Sequence, residues 1–420
     1  MSPSVLGSIT LGYRPLWGRD RELAGIQLLI EAVPNAPVDA PHLLHTLTEI
    51  GTLTAPPLLL SLQSVELLID ALEHAPTNTT TLWIEVPQRW LENDAAMEQR
   101  VRAAHARGLR MVWRGAVDAQ PDASLAPCFS RQMHTLSPQQ ALTALQAAAA
   151  LRANRAAGGA GQTVRSAGSP VTAGHIYEDI HSRPLMEHCL DQSDAFALLN
   201  WPDEDVLHAH RHHAIAPEHR TMLRIIKGLE ADKSMEQIES IMGEEPVLAY
   251  RFLAHVNSAG IGLRTGISSL RHGLMMMGYG SLAKWLAAQL PKASNDINMH
   301  PVKVAMVLRA RLMEHLLDAG IEESLRRDIY LCGLFSQLNL LLDEPLPGLL
   351  RRLPLSDRIY DATVNHTGPY AAALDIACSQ SRDDTAAIRA TCAKHNMPMD
   401  DANRALLRTL VTLKVQPVVK

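Results

Sequence analysis

The run from Pro246 to Gly260 (Pro-Val-Leu-Ala-Tyr-Arg-Phe-Leu-Ala-His-Val-Asn-Ser-Ala-Gly) constrains the chain more than any other. Pro246 fits the first turn of a helix, where its missing N–H is no loss, and Val247, Leu248, Phe252 and Val256 supply an apolar side chain each turn, so the helix is buried. Asn257 to Gly260 close it with residues that tolerate a left-handed or turn conformation. Ser268 or Ser269 can cap a second helix whose apolar face is Leu270, Leu274 and Met277. Around this pair the pattern stays helical. Met222, Leu223, Ile226 and Leu229 form one stripe, and Ser234 to Gln237 is a capping-box signature opening a helix with Ile238, Ile241 and Met242 inward and Gly243 at its end. Further helices are predicted at about 281–290, 300–319, 322–342, 369–395 and 400–413.

The helix with its Asn-Ser-Ala ending, followed by Ile267-Ser-Ser-Leu-Arg-His-Gly-Leu-Met-Met-Met-Gly278, resembles the HDOD domain, a helical regulatory relative of HD-type phosphohydrolases. The resemblance covers about 215–365 and extends through Gly333-Leu-Phe-Ser336 and Leu353-Pro-Leu-Ser356. In HD enzymes an adjacent His and Asp on the related helix ligate a divalent metal. Those positions here are Ser336 and Gln337, neutral side chains that lack the charge to acidify a bound water. The resemblance therefore implies neither metal nor catalysis in this half. His366 and the Met275–Met277 run read as packing or surface features.

The first half has another grammar. Residues 8–33 read as two strands about a turn at Gly18-Arg19-Asp20. Then come Pro57–Leu62, Thr81–Pro87, Leu109–Trp113 and a weaker strand near 128–133, alternating with helices near 40–50, 64–74 and 95–107. Short continuous apolar runs between helices point to parallel strands covered on both faces, in a barrel or an open sheet.

This half resembles the EAL domain, a TIM-barrel fold that hydrolyses cyclic di-GMP, in the shortened form found fused to HDOD domains. The stretch Ala173–Leu185 looks like its last strand and places the end of the barrel near 190. Active members carry Glu-x-Leu-x-Arg on the first barrel strand, where the Glu binds metal and the Arg meets a phosphate. The matching residues are Gln27 and Glu31, an amide in place of a hard-cation ligand and a carboxylate that would repel phosphate. The family's next Asn ligand falls at Ser61 and its Asp-Asp pair at Arg114 and Gly115, which leaves Glu85 as the one matched carboxylate. A two-metal phosphodiesterase needs several. The expectation is a degenerate barrel that is no enzyme, with no metal or cofactor and with cyclic di-GMP an unlikely partner. If the dinucleotide does bind, Arg14 and Arg114 are the candidate phosphate contacts. Turnover with ligands not matched by position would have to draw on Glu31, Glu85, Asp118, Glu178 and Asp179.

The expected division is a barrel at 1–190, a linker with a first helix at 191–213 and an all-α domain at 214–420. With 39 Lys plus Arg against 44 Asp plus Glu, the net charge of −5 disfavours a phosphate-gripping nucleic-acid surface. The histidines at 208, 210, 212 and 213 lack the spacing of a metal site. Five scattered cysteines point to reduced thiols rather than a disulfide framework. No apolar run is long enough to span a bilayer, and no secretory leader is visible, so a cytoplasmic protein is expected. The function expected is signal transduction through other signalling proteins, with Asn257, Arg264, Arg271 and His272 as the contact face, since turns between buried helices expose polar groups on a rigid frame.

Overall fold

The computed structural model describes residues 4–50, 56–75, 81–156, 168–211, 215–258, 266–317 and 322–413. They divide into two units, one formed by Met1–Asp205 with Ser379–Lys420 and the other by Val206–Cys378.

The first unit is built on a closed eight-stranded barrel. β1 (Ile9–Trp17) pairs antiparallel with β2 (Leu23–Ala32), as the sequence predicts. β3 (Leu58–Leu62), β4 (Leu82–Pro87), β5 (Arg110–Ala116), β6 (Phe129–Thr135) and β7 (Ile176–Glu178) follow in parallel. The helices α1 (Ala40–Ile50), α2 (Val65–His74), α3 (Ala95–Ala106), α4 (Pro138–Ala156) and α5 (Arg183–Glu187) lie between or after them. The barrel does not end near 190. A short strand, β8 (Ala197–Leu199), lies parallel to β7 and antiparallel to β1 and closes the ring from within the stretch read as linker. Three residues are too few to give a strand periodicity.

At the end where β1 turns into β2, the buried Arg21 has φ 63° and forks onto Asp191 at 2.6 and 2.7 Å, which ties the hairpin to the stretch before β8. Above that, Leu16, Leu59, Trp83, Val112, Met133, Ile176, Ala197 and Leu199 fill the barrel with an apolar layer.

The second unit is helical. It holds α6 (Asp203–His208), α7 (His219–Glu230), α8 (Met235–Gly243), α9 (Pro246–Val256) and α10 (Leu270–Gln289). α11 (His300–Leu316), α12 (Glu323–Phe335), α13 (Leu338–Leu342), α14 (Leu346–Arg351), α15 (Asp357–Tyr360) and α16 (Ala371–Gln380) complete it. The caps read from sequence are present. Ser234 and Gln237 form a reciprocal capping box, Pro246 opens α9, and the Ser269 hydroxyl accepts from the His272 N–H. Gly278, at φ 70°, interrupts α10 between the helix read through Met277 and the one predicted at about 281–290.

The largest departure from the sequence reading lies at the C-terminus. The predicted helix at 369–395 is two helices, and the second, α17 (Thr385–Lys394), sits with α18 (Met399–Val411) on the barrel instead of the helical domain. The buried Asn403 of α18 fixes this: its Nδ2 donates to the Leu6 and Ile9 carbonyls at 2.8 and 2.7 Å, and its Oδ1 accepts from the Leu11 N–H at 3.0 Å. Apolar periodicity predicts that a helix has a buried face, but not what covers it.

Candidate functional site at the barrel mouth

Side chains on a strand return to the same face every second residue. Two residues beyond the apolar plug, the inward positions of five parallel strands are therefore Ser61, Glu85, Arg114, Thr135 and Glu178, joined on β1 and β2 by Arg14 and Gln27. An apolar layer gives way to a wholly polar one at the carboxyl ends of the parallel strands, the end at which barrels of this kind carry their sites.

The layer is a continuous network. Arg14 Nε donates to Gln27 Oε1 at 2.8 Å, and Gln27 Nε2 donates to Glu85 Oε2 at 2.6 Å. Arg114 bridges the two carboxylates, with Nη1 on Glu85 Oε1 at 2.9 Å, Nε on Glu178 Oε1 at 2.9 Å and Nη2 on Glu178 Oε2 at 2.7 Å. The Thr135 hydroxyl donates to Glu178 Oε1 at 2.7 Å, and Arg14 Nη2 lies 3.9 Å from Glu178 Oε2. Glu85 and Glu178 are each 2% exposed, and the Arg114 side chain is 32% exposed, so the open end presents Arg114. Burial lowers the Arg14 pKa, with Glu178 opposing. It would lower that of Arg114 too, but Glu85 and Glu178 override it and raise it.

The fold places the sequence-derived residues unevenly. Gln27, Glu85 and Arg114 meet, and Arg14 joins them. Ser61 is buried nearby and accepts from Gln63 Nε2 at 3.1 Å. Gly115 cannot stand in for a carboxylate, because a Cβ there would come within 2.3 Å of the Trp113 ring. Glu31 lies on the outer part of the mouth and is held by Arg389 Nη1 at 2.7 Å and by the Thr385 hydroxyl, both from α17. Burial would raise its pKa; the hydroxyl and the guanidinium outweigh this and hold it low. Thr385 and Arg389 carry no sequence signal, being more than 350 residues away along the chain.

The arrangement does not fit a divalent cation. All four oxygens of Glu85 and Glu178 already accept from side-chain donors, and a guanidinium fills the position between them that a metal would need. Among the described residues no group of three or more His, Cys, Asp or Glu is placed to hold a metal ion.

In the helical unit, Ser336 donates to the Gly333 carbonyl at 2.8 Å and accepts from Arg309 Nη1 at 3.3 Å, while Gln337 precedes α13. Of the expected contact face, Arg264 lies outside the described residues. Asn257 turns inward, its Nδ2 on the Leu253 and Ile267 carbonyls at 2.8 Å each and its Oδ1 taking the Ile267 N–H at 2.7 Å. Arg271 pairs with Glu239 at 2.8 Å and Glu236 at 3.2 Å, and His272 is exposed. His210 of the histidine-rich stretch pairs with Asp296 at 3.0 Å. All five cysteines are free, and no helix among the described residues is long and apolar enough to cross a membrane.

Comparison with known proteins places one family within the helical unit. Residues 215–342 match the HDOD domain. The cyclic di-GMP phosphodiesterase CdgJ of Vibrio cholerae is 22% identical over 202 residues, covering 46% of this chain and 45% of that protein. The uncharacterized protein YuxH of Bacillus subtilis is 22% identical over 147 residues, covering 34% and 36%. The match thus spans less than half the length of either curated relative. Among solved structures, the MmoQ response regulator of Methylococcus capsulatus has a TM-score of 0.37 at 15% identity, covering 46% of this chain and 98% of that one. The EAL enzyme Bd1971, bound to cAMP and cyclic di-GMP, has a TM-score of 0.29 at 9% identity, covering 46% and 61%. These likenesses are too slight to carry a functional argument.

The chain therefore joins a closed eight-stranded barrel to a helical unit that matches the HDOD domain. One expectation is overturned. The expectation that the chain is no enzyme rests on a single matched carboxylate, and the relative CdgJ is named a phosphodiesterase. Matching by position also missed that the fold sets Glu178 of β7 opposite Glu85 of β4.

Proposed function

We propose that the protein works in cyclic di-GMP signalling, with the barrel mouth as the place where the dinucleotide is met and the HDOD unit as the part that engages other signalling proteins. The observation that carries this is the polar layer at the carboxyl ends of the strands, with two guanidinium groups in it. Arginine offers a planar fork suited to phosphate, and Arg114 is the member of the layer that faces outward. An arriving phosphate oxygen would take up the outer N–H groups of Arg114 while Glu85 and Glu178 keep the guanidinium in plane. Arg14, held from behind by Gln27, adds positive charge to the same space. Setting cyclic di-GMP aside as a partner is thereby withdrawn, in keeping with the phosphodiesterase named among the relatives.

Support for the partner role of the helical unit is narrower. Of the candidate face, His272 is exposed and Arg271 is held in a fixed pose by two carboxylates, so a partner would meet a rigid surface there. The decisive experiment is calorimetric titration of the full chain with cyclic di-GMP, in magnesium and then in manganese, with the linear dinucleotide assayed in parallel. Binding in the micromolar range that is lost in Arg114→Ala is expected, and the product assay reports turnover directly. No heat and no product under either condition would sink the dinucleotide reading.

A further inference from the structure

The mouth has a cover of its own. After α16 the chain belongs to the barrel unit again, and the segment from Gln380 to Arg389 packs against β1 and β2 at the positions of Gly12, Arg14 and Glu31. Three contacts place it there. Asp383 Oδ2 is 3.7 Å from Arg14 Nη1. Gly12, two residues along β1 from Arg14, has no room for a side chain: a Cβ would lie 3.0 Å from Ile388 Cδ1 and 3.2 Å from the Arg382 carbonyl oxygen. Beyond it, Arg389 reaches across both strands, to Glu31 at 2.7 Å and to the Thr10 hydroxyl at 3.3 Å.

These contacts differ in strength. Asn403 anchors α18 behind the segment with three buried hydrogen bonds, and Arg389 pins α17 to Glu31. The Asp383 contact is loose: its side chain is 70% exposed, at a distance beyond a hydrogen bond, and it sits between α16 and the N-cap of α17, where no helical bonds hold the backbone. The segment is held at both ends, by Gln380 Nε2 on the Ala402 carbonyl at 3.2 Å and by Arg389 on Glu31 at 2.7 Å, and only weakly over Arg14, so it can lift locally there without unfolding the barrel.

We infer that Gln380–Arg389 is a strap that regulates this same mouth, with Asp383 holding the Arg14 guanidinium in the place a ligand phosphate would take. The inference rests on the mouth being the dinucleotide site. A carboxylate and a phosphate oxygen compete for the same N–H groups, so the dinucleotide must displace Asp383 to reach Arg14, and whatever lifts the strap changes the affinity of the mouth. Arg389 keeps the approach open to an anion by neutralising Glu31.

The test compares the full-length protein with Asp383→Asn, a substitution at an exposed position that leaves the barrel core untouched. Cyclic di-GMP is expected to bind the variant about fivefold more tightly, the scale of one exposed ion pair. In the wild type, the ligand should raise amide hydrogen exchange across Gln380–Arg389. Equal affinities with unchanged exchange would overturn the strap while leaving the mouth reading intact. If neither protein binds the dinucleotide, the mouth reading falls, and inorganic pyrophosphate decides the strap: heat with Asp383→Asn alone supports the competition, and no heat with either overturns it.

Discussion

Two regions bury carboxylates against cations, and they do so in different ways. At the barrel mouth, Glu85 and Glu178 are held only by side chains, namely Gln27, Arg14, Arg114 and Thr135, which come from β1, β2, β5 and β6. In the helical unit, Glu245 caps α9 by accepting the Leu248 N–H, accepts the Glu218 N–H at 3.3 Å, and pairs with Lys303, which is 2% exposed. Glu245 thus holds backbone as well as charge, so its network belongs to the fold. The mouth network can exchange partners without breaking a backbone bond, which a ligand site requires.

The comparison fails if the two networks respond alike to losing their cations. The largest effect is expected from Lys303→Met, which leaves a fully buried carboxylate without its counter-charge and should cost about 3–5 kcal/mol in a urea unfolding measurement. A smaller loss than that of Arg114→Ala would break the contrast.

The same corner of the helical unit should dominate the acid limb of stability. Burial would raise the Glu218 carboxyl, but His300, then Arg220 and Thr221, override it and hold it at about 2 against an ordinary 4.5. Because the folded value is the lower one, the stabilisation is complete above pH 4.5 and is lost as pH falls towards 2. The span is at most ~3 kcal/mol. Denaturant midpoints at pH 5 and pH 3 should diverge in the wild type and draw together in Glu218→Gln; an undiminished drop in the variant would place the acid sensitivity elsewhere.

Arg114→Ala should cost less, about 2–3 kcal/mol: it strips a cation from two buried carboxylates, but Gln27 and Thr135 still donate to them, Arg14 stays nearby, and water enters on the side where the guanidinium is one-third exposed. Its loss of dinucleotide binding should be much larger in proportion. A variant that unfolds while the ligand still stabilises what remains folded would make Arg114 a structural residue.

How far each network could be read from sequence follows the same division. Helix α9, its proline, the two serine caps and the β1–β2 hairpin depend on residues within a few positions of one another, and each is present as read. Gln27, Glu85 and Arg114 could be singled out because the resemblance to the EAL domain marks their positions, and a strand then keeps such positions on one face. Glu178 went uncounted in the matched set, and its bond to Arg114 spans 64 residues of sequence. The closing strand Ala197–Leu199 is too short to show a period, and the return of Gln380–Arg389 to the mouth depends on which surface covers a helix face, which no local pattern encodes.

The smallest prediction measures that local layer by itself. Ser234 accepts from the Gln237 N–H at 3.3 Å while Gln237 Oε1 takes the Ser234 N–H at 3.1 Å, on an exposed helix start away from both ionic networks. Ser234→Ala removes one of these bonds and no buried charge, so it should lower stability by about 1 kcal/mol, equally at pH 5 and pH 7. Dinucleotide binding should not change. A cap that shifted ligand affinity would mean that the start of α8 is coupled to the mouth, and the separation between a network that holds the fold and one that serves a ligand would have to be redrawn.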